Sequence, residues 1–172
     1  MRKKIAITGH TGLLGQALVA ECILQEYEVM PFSRENGYDI TMFPSVGNLI
    51  SDAKECDIFV NNAYSDSFHQ VDLLYRLYEA WKTKEKTIIN IGTTASGYYE
   101  HEEPWMYATH KSALDDACRR MQSEHNKHPL KVINVKPYYI GEDSFAIPPQ
   151  QLAKDILWVA SHPRHIAEIT IR

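Results

Sequence analysis

Apolar and polar positions follow two alternating patterns along the chain. Short apolar runs such as residues 5–7 are typical of buried strands, and they alternate with segments in which apolar residues recur at helical spacing, as Leu14, Ala17 and Leu18 do. The pattern predicts strands at residues 4–8, 28–32, 57–61, 87–91, 131–135 and 168–171, with a shorter seventh strand at 38–40. It predicts helices at residues 13–25, 44–53, 71–82, 107–125 and 149–161.

This order of elements is typical of an α/β protein. Alternating strands and helices favour a doubly wound parallel sheet of about seven strands with helices on both faces. The 172 residues suffice for a sizeable core, and 44% hydrophobic with 23% charged residues is ordinary globular composition. The sequence has no internal repeat, low-complexity linker or composition break, so we expect one domain over residues 1–172.

Charge and cysteine content argue against several classes of partner. The formal net charge of -4 and the lack of a dense Lys/Arg block disfavour a nucleic-acid surface. The opening residues lack a signal-peptide core, and no stretch approaches the roughly 20 apolar residues of a membrane span. Cys22, Cys56 and Cys118 include no Cys-x-x-Cys pair, which favours free thiols in a reducing compartment. We therefore expect a cytoplasmic protein with no membrane or nucleic-acid partner.

A glycine-rich segment joins the first predicted strand to the first predicted helix. Glycines stand at positions 9, 12 and 15, so three of the eight glycines of the chain fall within seven residues. Glycines here allow a tight turn, let a pyrophosphate approach the backbone and direct the amides of the helix N-terminus at its charge. The segment predicts a dinucleotide site, and a strand-to-helix turn that binds nothing is the alternative.

Tyr107 and Lys111 lie four residues apart, so a helix places them on one face about one turn apart. A nearby ammonium favours phenolate over phenol and lowers the tyrosine pKa from about 10 towards neutrality. The pair therefore predicts a general acid or base. Tyr78 and Lys82 have the same spacing but lie within an ordinary amphipathic pattern, and we interpret them as structural.

The eight histidines do not predict a metal site. In the pairs His125-x-x-His128 and His162-x-x-His165, no carboxylate or cysteine stands at a spacing that completes a zinc-like set. Both pairs adjoin prolines at predicted helix ends, where cationic side chains complement the helix dipole. Ser96-Gly97 likewise does not form a Gly-x-Ser-x-Gly nucleophile elbow.

Five features, in one order, resemble the short-chain dehydrogenase/reductase family over essentially the whole chain. They are the glycine segment, Asn61-Asn62-Ala63, the strand leading into Thr93-Thr94, Tyr107-x-x-x-Lys111 and Pro137. The glycine spacing is similar to the extended, epimerase-like branch of the family, whereas Asn61-Asn62-Ala63 and the closing residues 167–172 are similar to its simple reductases. The resemblance implies a Rossmann fold that binds a nicotinamide dinucleotide.

The resemblance also implies which residues contact the cofactor. The glycine segment would cradle the pyrophosphate, Asp39 with Ile40 would lie against the adenine, and residues 61–63 would line its ribose side. Pro137, after the strand predicted to end at residue 135, would sit beside the nicotinamide. The implied contacts are Gly9, His10, Thr11, Gly12, Leu13, Leu14, Gly15, Ser33, Arg34, Asp39, Ile40, Asn61, Asn62, Ala63, Lys111, Pro137 and Ile140.

The residues after the second strand favour NADP(H) over NAD(H). An acidic residue ending that strand would bind the ribose hydroxyls of NAD, whereas Ser33 and Arg34 offer a hydroxyl and a guanidinium for a 2′-phosphate. The alternative is that Arg34 only solvates a turn together with Glu35.

The family's chemistry implies an oxidoreductase that interconverts a carbonyl and an alcohol on a small or sugar-like substrate. Tyr107 would donate the proton in reduction or accept it in oxidation. Lys111 would hold the nicotinamide ribose hydroxyls and lower the pKa of the tyrosine. Thr93 or Thr94 would hydrogen-bond the substrate oxygen where charge develops.

Several positions depart from the family pattern. Threonine replaces the usual active-site serine, Tyr64 stands where Asn-Asn-Ala is commonly followed by glycine, and neither His69 nor Asp72 is an adequate counterpart of the supporting asparagine. Few residues follow Gly141 before the last helix, where relatives insert a substrate-covering lobe. The site is therefore open, covered by another subunit, or roofed by aromatic residues, for which core packing is the alternative. The aromatic candidates are Tyr98, Tyr99, Trp105, Tyr138 and Tyr139.

Two other functions stay open at this point. A nucleotide-sugar epimerase or dehydratase matches the extended-type glycine spacing but needs a substantial C-terminal lobe. A non-catalytic NADP(H)-binding module, as a sensor or partner subunit, matches the missing lobe and asparagine. By analogy with the family, we expect a homodimer or homotetramer formed through the helices at 71–82 and 107–125.

Overall fold

A parallel β-sheet forms the centre of the molecule in the computed structural model, which describes residues 2–97 and 105–172. Over these residues the strands are β1 (Lys4–Thr8), β2 (Glu28–Phe32), β3 (Ile58–Asn61), β4 (Thr87–Ile91), β5 (Lys131–Pro137) and β6 (Glu168–Ile171). Their order is β2-β1-β3-β4-β5-β6, and every neighbouring pair is parallel. The predicted doubly wound sheet is confirmed.

Helices cover both faces of the sheet. In the described parts of the chain they are α1 (Leu13–Leu24), α2 (Phe43–Asp52), α3 (His69–Trp81), α4 (Trp105–Gln122) and α5 (Pro149–Ser161). Single 3₁₀ turns lie at Arg34–Asn36, Ala53–Glu55 and Thr94–Gly97. None of the helices within the described ranges is long and apolar enough to cross a membrane.

Each face of the sheet buries its own apolar core. Helices α2, α3 and α4 pack on one face, where Phe59 and Leu77 are fully buried, and α1 and α5 pack on the other, where Leu18 and Ile156 are fully buried. Every residue of β3 and β4 is buried, which explains why their sequences are mostly apolar, with Asn61, Thr87 and Asn90 as the polar exceptions. Each buried apolar side chain stabilises the fold by roughly 1.5–3 kcal/mol, and together they fix the carboxyl ends of the central strands.

The predicted helices are confirmed, with small differences at their ends. Helix α4 stops at Gln122 instead of 125, because the amides of Glu124 and His125 bond three residues back and form turns. Strand β5 runs on to Pro137, which pairs with Ile171 of β6, so Pro137 closes the strand rather than following it.

The shorter strand predicted at 38–40 is wrong. The Tyr38 amide donates to the Ser33 carbonyl at 2.8 Å, and the Asp39 amide donates to Ser45 Oγ at 2.7 Å. These local bonds fold the backbone into turns and leave those amides without a role in a strand ladder. The described sheet therefore has six strands, with β2 at its edge.

The chain reverses direction across the sheet between β2 and β3. Strand β1 lies between them, so α1 leads outward to β2 and α2 leads back to β3. Open parallel sheets bind ligands in the crevice at such a reversal, beyond the carboxyl ends of the strands. Here that crevice lies beyond Thr8, Phe32 and Asn61.

Candidate functional site

A cavity of about 630 Å³ opens at this reversal point. Its walls come from the glycine segment, from the residues after β2, from the turn that follows them and from the residues after β3. The predicted cofactor residues that line it are Gly9, Thr11, Gly12, Ser33, Arg34, Asp39, Ile40, Asn62 and Ala63. The fold thus brings together parts of the chain that are far apart in sequence.

The three glycines of the segment have different roles. Gly9 has a left-handed φ of +67°, and a Cβ on Gly15 would lie 2.1 Å from the Gly9 carbonyl oxygen, so the loop itself needs both. A Cβ on Gly12 would meet, among the described residues, only the Gly9 oxygen at 3.5 Å, which is an ordinary contact. Since Gly12 lines the cavity, a side chain there would fill ligand space without disturbing the loop.

Helix α1 begins at the cavity wall. Gly12 is its N-cap residue and provides no side-chain cap, and the first turn holds no acidic residue. The amides of that turn therefore keep donor capacity, and the helix dipole adds partial positive charge. This end of α1 suits a phosphate.

The segment after β2 presents a guanidinium on a fixed turn. The Ser33 amide donates to Asn36 Oδ1 at 2.7 Å, which holds the turn. Arg34 is exposed and lines the cavity, as does Glu35. Strand β2 ends at the apolar Phe32 rather than at a carboxylate.

The turn at Asp39 and Ile40 gives the cavity one polar and one apolar group. Asp39 Oδ1 accepts a hydrogen bond from the Thr41 amide at 2.8 Å. The bonds from Thr41, with a smaller effect of the Arg34 charge, lower the pKa of the Asp39 carboxyl. Ile40 is largely buried and offers the apolar surface that an adenine ring needs.

Thr8 anchors the residues that follow β3. Its Oγ1 accepts hydrogen bonds from the Asn62 and Ala63 amides, each at 3.0 Å, and its carbonyl accepts one from Asn62 Nδ2 at 3.0 Å. These bonds hold Asn62 and Ala63 in the cavity wall.

Asn61 is fully buried and does not line the cavity, unlike Asn62 and Ala63 beside it. Asn61, Asn90 and Asn134 occupy matching positions on β3, β4 and β5, and each is fully buried. Asn61 Nδ2 donates to the Gln70 carbonyl at 3.0 Å and to Asn90 Oδ1 at 2.9 Å. Successive strand residues point to opposite faces, and Asn61 points to the face covered by α3.

Other predicted cofactor residues lie outside the cavity lining. They are His10, Leu13, Leu14, Gly15, Lys111, Pro137 and Ile140. Leu14 is buried in the core beneath α1, and Pro137 is buried where it pairs with β6, so neither side chain is open to the cavity.

Tyr64 links the cavity to the predicted acid–base pair. Its side chain lines the cavity, and its ring meets the Tyr107 ring edge-on with centroids 5.1 Å apart. Its hydroxyl lies 3.1 Å from His110 Nδ1, and the Phe68 ring packs on the same imidazole with centroids 4.6 Å apart. Tyr107 therefore lies beside the end of the cavity that Tyr64 forms.

Lys111 lies one turn after Tyr107 on α4 and is only 4% exposed. Its Nζ donates to Gln70 Oε1 at 2.9 Å and to the Ile91 carbonyl at 2.7 Å. Burial lowers the pKa of the Lys111 ammonium to about 8. Nζ lies 5.8 Å from the centre of the Tyr107 ring and 5.2 Å from that of Tyr64, so this charge faces both phenols.

Thr93 and Thr94 follow β4 and are both buried. Thr93 Oγ1 accepts a hydrogen bond from the Ala95 amide at 3.2 Å, and its carbonyl accepts one from Ser96 Oγ at 2.8 Å. Thr94 opens the 3₁₀ turn Thr94–Gly97.

A buried ionic cluster that the sequence analysis missed fixes this turn to α4. Asp115 accepts hydrogen bonds from Ser96 Oγ and from Asn134 Nδ2, and it pairs with Lys136 Nζ at 2.9 Å. A Cβ on Gly92 would lie 2.8 Å from the Asn134 amide oxygen, which explains the glycine after β4. The available signal was an acid at an apolar-face position of a predicted helix.

Gln70 was also missed. It lies at the start of α3, between His69 and Asp72, the two residues considered above as counterparts of the family's asparagine. Its side chain is buried, with 3% of the residue exposed. Its Nε2 donates to the last carbonyls of β3 and β4, and its Oε1 accepts from Lys111. His69 and Asp72 bond to other side chains instead.

The second tyrosine–lysine pair, Tyr78 and Lys82, makes contacts away from the cavity. Tyr78 is 7% exposed and donates to Glu124, and Lys82 pairs with Glu79 on the helix surface. Over residues 2–97 and 105–172, no group of three or more His, Cys, Asp and Glu side chains could hold a metal ion.

The aromatic roof is described only in part. Tyr98 and Tyr99 lie outside the described residues. Trp105 is 88% exposed, and Tyr138 and Tyr139 are 51% and 54% exposed, so core packing does not explain these three.

Comparison with known families identifies the chain. The sequence profile of the NAD dependent epimerase/dehydratase family matches residues 5–140, and the chain belongs to this family. The matched range includes the glycine segment, the cavity residues and the pair Tyr107 and Lys111. Among curated proteins, none matches the sequence.

Solved structures share the fold. A short chain dehydrogenase from Burkholderia cenocepacia in complex with NADP is 17% identical, with a TM-score of 0.81 over 99% of this chain and 88% of that chain. A 3-ketoacyl-(acyl-carrier-protein) reductase from Brucella melitensis complexed with NADH is 16% identical, with a TM-score of 0.81 over 98% and 95%. An alcohol dehydrogenase from Thermococcus sibiricus complexed with 5-hydroxy-NADP is 17% identical, with a TM-score of 0.78 over 100% and 97%. The resemblance to short-chain dehydrogenases/reductases is confirmed for the fold.

Proposed function

We propose that this chain is an oxidoreductase that uses NADP(H) to interconvert a carbonyl and an alcohol on a small or sugar-like substrate, with Tyr107 as general acid or base. The contact between Tyr64 and Tyr107 carries the proposal, because it brings the phenol of α4 to the end of the glycine-lined cavity. Membership of a family named for its NAD dependence supports it.

The residues of the cavity fit a dinucleotide. The uncapped start of α1 and the open position at Gly12 suit the pyrophosphate. Ile40 offers an apolar surface for the adenine, and Asn62 and Ala63, which line the same cavity, would contact the ribose. The cavity volume of about 630 Å³ falls within the range of small-molecule sites, which is roughly 300–1,000 Å³.

The preference for NADP(H) rests on Arg34. Its guanidinium is exposed at the cavity wall, and no carboxylate ends β2 to bind two ribose hydroxyls. A planar guanidinium matches a phosphate group in two-point contact. Among the similar structures, one was solved with NADP and another with NADH, so they do not favour either cofactor for this chain. The proposed preference therefore depends on Arg34.

The side chains of α4 supply the proton chemistry. When bound, the nicotinamide supplies or takes up the hydride. In reduction, the Tyr107 hydroxyl gives its proton to the carbonyl oxygen as that oxygen gains negative charge, and in oxidation the phenolate takes the alcohol proton. The Lys111 ammonium favours the phenolate. Thr93 or Thr94 donates a hydrogen bond to the substrate oxygen.

A non-catalytic NADP(H)-binding module is the second candidate. One observation favours it, because the Lys111 ammonium is hydrogen-bonded to Gln70 and Ile91 and does not line the cavity.

The family match also favours epimerase or dehydratase chemistry on a nucleotide sugar. Against that chemistry, residues 138–148 alone connect β5 to α5 and leave little chain for a sugar-nucleotide lobe.

The test compares two tyrosines with the same spacing to a lysine. NADPH binding by calorimetry and turnover of a carbonyl panel are measured for the wild type, Tyr107→Phe and the control Tyr78→Phe. We expect Tyr107→Phe to bind NADPH normally and to lose roughly a hundredfold or more in turnover, while Tyr78→Phe keeps both. Binding without any turnover in the wild type would favour the non-catalytic module.

For assembly, we propose a homodimer or homotetramer formed through α3 and α4, and sedimentation analysis tests it.

The free, buried cysteines support the proposed cytoplasmic location. They are Cys22, Cys56 and Cys118.

A further inference from the structure

We infer that Gln70 is a positioning residue of the proposed oxidoreductase, holding the Lys111 ammonium beside the Tyr107 phenol through a neutral amide oxygen. The inference rests on the proposed function. Its basis is a buried contact of 2.9 Å between Gln70 Oε1 and Lys111 Nζ, which joins the start of α3 to α4.

The surrounding groups allow only one orientation of the Gln70 amide. Nε2 donates to the Asn61 carbonyl at 2.7 Å and to the Ile91 carbonyl at 3.2 Å. An ammonium only donates and a carbonyl only accepts, so a reversed amide would set donor against donor and acceptor against acceptor. The backbone carbonyl of Gln70 also accepts a hydrogen bond from Asn61 Nδ2 at 3.0 Å, which fixes the backbone at this position. The side-chain oxygen therefore has to face Lys111.

Glutamine fits this position better than a carboxylate or a shorter amide. Glutamate would lose the donor that serves two strand carbonyls, and its charge would neutralise the ammonium. Asparagine is one methylene shorter and could not reach from α3 to the strands and to Lys111 together. Gln70 therefore holds the lysine without neutralising it.

The other charges near Lys111 leave its ammonium available to the phenols. Tyr64 faces it from the loop after β3, and Tyr107 and Asp115 face it from α4. The Asp115 carboxylate is already paired with Lys136 of β5. Both direct acceptors of Nζ among the described residues are neutral. The positive charge that stabilises a Tyr107 phenolate is therefore preserved.

The test follows the pKa of Lys111 by NMR of its side chain, assigned with Lys111→Met, in Gln70→Glu, Gln70→Met and the exposed control Gln151→Glu. We expect Gln70→Glu to raise this pKa by about one unit or more, because a carboxylate then contacts the ammonium. Gln70→Met should lower it, since a buried ammonium loses an acceptor. Gln151→Glu should leave it unchanged. Shifts in opposite directions at one position cannot come from loosened packing alone.

Turnover completes the test. Gln70→Met should lower kcat by about ten- to hundredfold, the effect of one hydrogen bond to a charged group, with little change in KM for NADPH. Should Gln70→Glu fail to fold, the Met variant carries both measurements. The inference about Gln70 is overturned if the Lys111 pKa does not change in the variants, or if Gln70→Met keeps the wild-type kcat. In that case, turnover by the wild type still supports the proposed function. A wild type that binds NADPH but reduces no carbonyl overturns the proposed function and the role of Gln70 with it.

Discussion

Tyr64 packs edge-on against Tyr107, with ring centroids 5.1 Å apart, while its own hydroxyl lies 3.1 Å from His110 Nδ1. An aromatic ring thus fills a position where the family pattern commonly has glycine. Tyr64 also lines the cavity, so its ring supports the proposed catalytic phenol at that end of the cavity.

This contact predicts graded effects at position 64. Tyr64→Phe keeps the ring and loses one hydrogen bond, so it should cost about 1 kcal/mol of unfolding free energy and leave kcat within about threefold. Tyr64→Ala removes the support of Tyr107 and should lower kcat by about tenfold or more, because small misplacements of reacting groups are costly. Urea unfolding and steady-state kinetics check both, with the exposed Tyr75→Ala as control. Wild-type kcat in Tyr64→Ala would show that Tyr107 needs no such support.

Arg34 predicts cofactor choice. Arg34→Ala should weaken NADPH binding by about ten- to hundredfold, because a charged hydrogen bond to the 2′-phosphate is lost, and should leave NADH binding unchanged. Calorimetric titration with both cofactors measures the effect, and the exposed Arg164→Ala serves as control. Equal losses for the two cofactors would place Arg34 outside the phosphate site.

Adjacent aspartates on α4 predict very different costs. Asp115→Asn takes from the largely buried Lys136 ammonium the nearer of its two carboxylates and leaves only Glu168, at 3.8 Å. This should cost about 3 kcal/mol, the lower end for breaking a buried pair. Asp116→Asn breaks an exposed pair with Arg120 and should cost less than about 0.5 kcal/mol. Urea unfolding of the two variants gives the comparison, and similar costs would contradict the buried cluster.

The lowered pKa of Lys111 predicts how stability depends on pH. Between about 8 and the ordinary value of 10.5, the unfolded chain keeps a proton that the folded chain gives up, so this group makes the protein more stable as pH rises. Burial raises the pKa of the Cys22 thiol to about 12, which works in the opposite direction above the ordinary thiol value. The comparison with Lys111→Met isolates the lysine.

The wild type should therefore gain roughly 2 kcal/mol relative to Lys111→Met between about pH 8 and about pH 10. Urea unfolding at a series of pH values measures this difference. A difference that stays constant with pH would show that Lys111 titrates normally in the folded protein.

The sequence predicts most of the fold because its strongest signals are physical requirements of a parallel sheet. The buried strands β3 and β4 had to be mostly apolar, and the glycine segment had to turn the chain from β1 into α1. The segment at 38–40 misled because its apolar and β-branched content resembles a strand, while Ser33 and Ser45 bond its amides.

Site residues could be predicted from the sequence where the chemistry depends on one residue type at one position. They could not be predicted where it depends on contacts between distant parts of the chain. Glycines and Arg34 carry their chemistry in their own sequence positions. Gln70 and Asp115 do not, because each acts through partners on other strands and helices that only the folded chain brings within hydrogen-bond distance. The inward direction of Asn61 likewise depends on the face that its strand position presents to α3.

We propose that a dinucleotide lies against the backbone at Gly12, and a single added methyl group tests this placement. Gly12→Ala has room in the loop, and Gly47→Ala, on α2 with no atom of the described residues within 4 Å of its Cβ, is the matched control. Melting temperature and NADPH affinity are measured for both and for the wild type. We predict that all three fold, with Gly47→Ala melting somewhat higher because alanine in a helix interior is roughly 0.5–1 kcal/mol more favourable than glycine. The wild type and Gly47→Ala should bind NADPH equally, and Gly12→Ala should bind it at least about tenfold more weakly. Wild-type affinity in Gly12→Ala, or no binding in the wild type, would contradict the claim.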